Sequence, residues 1–204
     1  MFVQVIQGKV SDRAALRAAL ERWLNEVAPA SIGWLGSTSG VTEDGRFILM
    51  GRFSSEEEAM RNSARTEQDA WWAETSKLFD GKATFKNSIA VDTDIAGDPD
   101  KAGFVQFVLG KVRDVDRARD LMRRDPISKW ADFRPDLIGT LTAIHEGGEM
   151  TTAAYFTSEQ EAREGEKKEV PPELMEGMEE INNLTEGEPE YLDLKEPWLD
   201  SPKS

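Results

Sequence analysis

The chain repeats itself, and that repetition restricts what it can fold into more than any other feature. Phe-Val-Gln-Val-Ile-Gln-Gly-Lys-Val at 2–10 returns as Phe-Val-Gln-Phe-Val-Leu-Gly-Lys-Val at 104–112, with six of nine positions identical. Pro29-Ala-Ser-Ile-Gly-Trp-Leu is echoed by Pro135-Asp-Leu-Ile-Gly-Thr-Leu, and Phe53-Ser-Ser-Glu-Glu-Glu-Ala by Phe156-Thr-Ser-Glu-Gln-Glu-Ala. Phe79-Asp-Gly and Leu184-Thr-Glu-Gly follow in the same order. Four matches in one order mark a duplication, so each half must fold as the same unit.

Each copy reads as strand, helix, hairpin, helix, strand. The opening strand ends at Gly8-Lys9 or Gly110-Lys111. Leu16, Leu20, Trp23, Leu24 and Val27 then form an apolar stripe at helical spacing. In the second copy Asp125-Pro126 interrupts the equivalent helix after Leu121 and Met122, because proline lacks the helical donor. Hairpins follow at Ile32–Val41 with Arg46–Phe53, and at Leu137–Ile144 with Met150–Phe156. Their turns fall at Glu43-Asp44-Gly45 and Glu146-Gly147-Gly148. Ser55-x-x-Glu58 and Ser158-x-x-Glu161 are capping boxes that start the next, split helix. Closing strands are expected near Thr84–Val91 and Glu190–Leu194.

The expected division is residues 1–92 as one module, 93–102 as a linker, 103–196 as the second module and 197–204 as a loosely ordered tail. The element order is that of the split βαβ, ferredoxin-like unit. A tandem pair resembles the dimeric α+β barrel superfamily, including the antibiotic-biosynthesis-monooxygenase-like families. The resemblance covers nearly the whole chain and rests on element order and repeat. It implies an α+β fold in which two βαββαβ repeats pack sheet to sheet as one pseudo-two-fold barrel, an internal pseudo-dimer.

Composition removes several functions. With no cysteine, disulfides, thiolate nucleophiles and thiolate-held metals are excluded, and a reducing cytoplasm is the expected compartment. One histidine, His145, cannot make a two-histidine metal site. The net charge is −14. Residues 1–102 hold 12 basic against 16 acidic side chains, and residues 103–204 hold 13 against 23. So acidic a surface repels phosphate backbones, and no nucleic-acid partner is expected. No stretch reaches the roughly 20 apolar residues of a membrane span, so no membrane partner is expected either. Gly-rich phosphate loops, nucleophile elbows and cation-loop spacings are absent, and no cofactor or metal is expected.

Candidate ligand contacts come from strand alternation. Val105, Phe107 and Leu109 are uniformly apolar and are assigned to the helices. The opposite parity, with Gln4 and Gln106, is then expected to face a shared interior. Arg52 and Tyr155 are expected to converge there too, Arg52 as the charge and Tyr155 as an aromatic wall. Trp34 would supply a second wall, its counterpart in the other copy being read as Thr140. The main expectation is binding of a small aromatic or apolar molecule by Gln4, Trp34, Arg52, Gln106 and Tyr155. One alternative, implied by the resemblance, is a cofactor-independent monooxygenase of the antibiotic-biosynthesis type. Another is a structural or interaction protein whose interior is filled by its own side chains. Haem is disfavoured, because neither second helix carries a histidine.

Overall fold

The computed structural model describes residues 1–202; the last two residues of the expected tail lie outside the described residues. The chain forms two compact units, residues 1–88 joined by the segment from Trp198, and residues 89–197. Each unit has one five-stranded antiparallel sheet.

The first unit contains β1 (Phe2–Lys9), α1 (Arg13–Glu26), β2 (Trp34–Val41), β3 (Arg46–Phe53), α2 (Glu56–Ser63), α3 (Thr66–Thr75) and β4 (Thr84–Asn87). The second contains β5 (Ala90–Ile95), β6 (Phe104–Lys111), α4 (Val115–Arg124), α5 (Ile127–Trp130), β7 (Leu137–Ile144), β8 (Glu149–Phe156), α6 (Glu159–Glu166), α7 (Pro172–Leu184) and β9 (Glu190–Leu194). β10 (Trp198–Asp200) returns to the first unit. The sheet orders are β10-β2-β3-β1-β4 and β5-β7-β8-β6-β9. Without β10 and β5, the remaining four strands of each sheet, β2-β3-β1-β4 and β7-β8-β6-β9, give the ferredoxin-like order expected of the repeat.

Matching local chemistry shapes the two copies. Asp12 caps α1 by accepting from the Ala15 amide at 2.8 Å, and Asp114 caps α4 by accepting from the Arg117 amide at 2.9 Å. The Ser55 and Ser158 hydroxyls accept from the amides of Glu58 and Glu161, which satisfies donors that a helix start leaves unpaired. Pro126 separates α4 from α5, and Pro171 and Pro172 separate α6 from α7.

Three boundaries differ from the sequence expectation. The strand expected at Thr84–Val91 is two strands in two sheets: Ser88 N donates to Val3 O, whereas Ile89 N donates to Ile144 O. The expected linker begins inside β5, which runs alongside β7 to Ile95. The expected tail includes β10, whose Trp198, Leu199 and Asp200 pair with Ser39, Thr38 and Ser37.

In the first unit Val10, Leu16, Leu20, Val41, Phe47 and Phe79 form one core between sheet and helices, with Trp71 and Trp72 packed on it. Burying side chains of this size stabilises by about 1.5–3 kcal/mol each. In the second unit Phe104, Phe156 and Ala162 form a cluster, with Leu137 and Ala154 against them.

Candidate functional site

The first unit has a hollow between the sheet and its helices. Gln4, Trp34, Leu49 and Phe53 form the sheet side, and Leu20, Trp23, Asn62 and Trp71 the helix side. The space open to a water-sized sphere is about 90 Å³. Three indoles meet there: Trp23 lies edge-on to Trp34 with centroids 5.0 Å apart and 6.3 Å from Trp71. Edge-on contact suits the ring quadrupoles. Trp23 Nε1 donates to Gln68 Oε1 at 2.7 Å, and Trp71 Nε1 to the Ala19 carbonyl at 2.8 Å. Gln4 Nε2 donates to Asn87 Oδ1 at 3.0 Å. Asn62 is buried and closes both ends of a backbone link, accepting from Ile32 N at 3.1 Å and donating to Ile32 O at 2.6 Å. The ionisable side chain on this lining, Asp200, is paired with Arg17 at 3.0 Å.

The strand register corrects the expected grouping of side chains. Ile6, Phe47 and Leu49 pack on the helix-side core, and Gln4 shares the parity of Ile6, so Gln4 lies on the helix side. Gln106 does likewise in the second unit, where it pairs with Ala154 and its amide donates to Asp193 at 3.0 Å. Trp34 is opposite Phe53 and also lies on the helix side. Arg52 is opposite Val3, and Tyr155 opposite Val105, on the sheet faces turned away from the helices. The five residues therefore do not share one face; of them, Gln4 and Trp34 come together in the first-unit hollow. Uniform apolarity misassigned the faces because the side away from the helices is the drier one. Val3, Val5, Ile48, Met50, Val105 and Phe107 are all no more than 1 % exposed.

The equivalence of Trp34 with Thr140 is corrected too. Both second strands shift register at a bulge, between Trp34 and Gly36 and between Leu137 and Gly139. Phe53 opposes Trp34 and Phe156 opposes Leu137, so Leu137 is the counterpart of Trp34. The bulge glycine Gly36 has φ +126°, and a Cβ there would lie 2.4 Å from Arg52 Nη2 and 2.7 Å from the Asp200 carbonyl oxygen.

No protein-family model matches the chain, and no curated protein matches it in sequence. Solved structures do match its fold. A "putative monooxygenase" from Lactobacillus acidophilus NCFM superposes with TM-score 0.74 at 14% identity, covering 98% of this chain and 96% of that one. A second protein of that description, from Fusobacterium nucleatum, gives 0.74 at 8% identity over 98% and 94%. An anthrone oxidase-like protein gives 0.71 at 12% identity over 98% and 90%. At these identities the likeness is one of fold, a tandem ferredoxin-like arrangement.

In this chain the two modules carry different helix-side spaces. The second module has two adjoining hollows, of about 600 and 570 Å³, that share Met122 and Thr152 as walls. Asp92 stands beside the latter and binds Arg119 Nε at 2.6 Å and Arg123 Nη2 at 3.1 Å. The hydrogen bond from Arg119, assisted by the charges of both arginines, holds its carboxyl below the usual carboxylate range against a smaller opposing effect of burial. Among the described residues no helix is long and apolar enough to cross a membrane, and no group of three or more His, Cys, Asp or Glu could hold a metal ion.

Asn62 and Trp23 were missed as lining residues, whereas Trp71 stands out in the sequence as the ring left free to cap an opening. Ala59 and Asn62, three apart on α2, are both buried. An amide on the apolar side of a helix is a readable signal, because a buried amide needs partners.

Proposed function

We propose that the protein binds a small, flat, largely apolar molecule in the hollow of its first module. The observation that carries this is the convergence of three indoles around a space no other side chain fills. Trp23 and Trp71 have their N–H groups bonded within the protein, so they offer ring surface. Trp34 is 9 % exposed and its N–H makes no hydrogen bond with the described residues, so it can donate to an oxygen on the ligand. At about 90 Å³ the hollow is smaller than the roughly 150 Å³ that houses benzene in an engineered cavity. One ring, admitted by a small movement of Trp71, is the size it suits.

Oxygenation of such a ligand is the second reading, supported by fold relatives described as monooxygenases and as anthrone oxidase-like. The lining favours binding: Asp200 is neutralised by Arg17, and no other ionisable side chain lies on it to take a proton from the substrate. A reducing cytoplasm and freedom from nucleic-acid and membrane partners are part of this proposal, on the grounds of composition and charge.

The test is a fluorescence titration of the protein with phenol and with cyclohexanol, paired with thermal shift. Saturable quenching by phenol that weakens in Trp34→Phe, which keeps a ring and loses the N–H, supports the reading. Quenching that rises linearly without saturation in both proteins overturns it. Conversion of hydroquinone and O2 to hydroxybenzoquinone and water, in which the substrate supplies all the electrons, would promote the second reading instead.

A further inference from the structure

The second module carries a different site. The strand register gives position-by-position counterparts. Gly8 pairs with Phe47 as Gly110 pairs with Met150, and Ile6 with Leu49 as Val108 with Thr152. The isolated bridges match Val10–Phe79 with Val112–Thr185. Counting back along the helix from there sets Trp72 against Met178 and Trp71 against Gly177. Five large side chains on the helix side of the first unit thus have smaller ones in their place. Phe47 becomes Met150, Leu49 becomes Thr152, Phe79 becomes Thr185, and the tryptophan pair becomes glycine and methionine.

The space those rings would fill is open. The two hollows floored by β8 run from Met150, through Thr152, to Ala154 and Phe156. Six steps along the strand at about 3.3 Å each make a trough of about 20 Å. Each hollow falls within the range of small-molecule sites, roughly 300–1,000 Å³. Met122, common to both, is a flexible side chain that adapts to a ligand's shape. At the centre of the floor Thr142 and Thr152 share a hydrogen bond of 3.0 Å between their hydroxyls. Each hydroxyl keeps capacity for another partner.

The charges specify the ligand further. Lys111, Arg123 and Arg134 line the trough, and all three are already paired: with Glu186 at 2.9 Å, Asp92 at 3.1 Å and Asp136 at 2.7 Å. Of the lining carboxylates, Asp92 and Asp125 are held by arginine and lysine, Asp94 accepts from the Ile127 amide at 2.6 Å, and Glu188 completes the set. An anionic head group would have to break a basic residue's pair and would face these carboxylates, whereas the threonine hydroxyls suit an uncharged oxygen. We infer that the helix-side trough of the second module binds an uncharged, elongated, mainly apolar molecule carrying one hydrogen-bonding oxygen, of the class of long-chain alcohols and ketones.

The experiment is displacement of the fluorescent probe N-phenyl-1-naphthylamine from the full chain by 1-dodecanol, dodecanoate and dodecyltrimethylammonium. Dodecanol is expected to displace it saturably and more tightly than dodecyltrimethylammonium, with dodecanoate weaker by roughly ten-fold or more, since its head meets no unpaired cation. Refilling the trough with the first module's residues, Met150→Phe with Thr152→Leu and Thr185→Phe, is expected to weaken dodecanol by a similar factor while secondary structure is kept. If that triple variant does not fold, Thr152→Leu alone, at the wall shared by both hollows, is expected to weaken dodecanol measurably. Unchanged dodecanol affinity in a folded refilled variant overturns the inference, and so do equal affinity for dodecanoate, tighter displacement by dodecyltrimethylammonium, or the absence of saturable displacement. The site is independent of the first-module pocket, whose phenol response is expected to survive the refilling.

Discussion

Arg17 on α1 grips Asp200 on β10, its Nη1 3.0 Å from Oδ2, while its guanidinium lies 5.4 Å from the ring centre of Trp198. Arg13 approaches the same ring at 5.7 Å. Two helix cations and one carboxylate thereby fasten a three-residue strand. Arg17→Ala is expected to cost about 1–2 kcal/mol, combining a partly buried ion pair with a cation–π contact. A fall in melting temperature of a few degrees would register it; an unchanged value would show that backbone pairing alone holds β10.

Asn62 offers a sharper test of the pocket wall. Its side chain bonds both the N–H and the C=O of Ile32, and Nδ2 also reaches Glu58 O at 3.1 Å. Asn62→Ala strands two backbone groups and is expected to destabilise by about 1–3 kcal/mol. Urea denaturation measures this, and a cost below about 0.5 kcal/mol would mean that water replaces the amide without loss.

Acid should loosen the second module through Asp92. Its folded pKa lies below its unfolded value of about 4. The stabilisation is therefore complete above about pH 5 and is lost as pH falls through 4 toward the depressed folded value. Asp92→Asn is expected to be less stable than the native protein near neutrality and to approach it in acid. Urea midpoints across that range check the convergence; parallel curves would contradict it.

Gly36 and Gly81 both have positive φ, yet their surroundings differ. A Cβ at Gly36 meets the Arg52 guanidinium and the Asp200 carbonyl, whereas a Cβ at Gly81 meets nothing within 4 Å. Gly81→Ala is expected to cost only the backbone strain, about 1–2 kcal/mol. Gly36→Ala should cost more and should also loosen β10, read as faster hydrogen exchange at Thr38 and Ser39. Equal costs would show that the bulge has room to relax.

Much of this fold was legible in the sequence, because caps, prolines and turn glycines act over a few residues. Ser55, Ser158, Asp125-Pro126 and the hairpin ends fall where local chemistry places them. The strand exchange was not legible. β10 is three residues long and β5 continues β4 after two residues, so neither carries an alternation of its own. The faces of the sheets were misread because both are apolar and period-two patterning cannot say which one meets helices. The match of Pro29 with Pro135 also concealed the true offset, which the bulges before Gly36 and Gly139 reveal. At the candidate site, Gln4 and Trp34 were marked from their residue types, while Asn62 was overlooked because its role rests on a contact 30 residues away along the chain.

The route of the polypeptide has a consequence for biosynthesis. The first 88 residues emerge from the ribosome without the strand that finishes their sheet, since 109 codons intervene before it. Until then β2 is an open edge, the kind of unpaired ladder that recruits strands from other chains. The amino-terminal half is thus the last to be completed although the first to be made, and the nascent chain must keep that edge from neighbouring chains on the same message until β10 emerges.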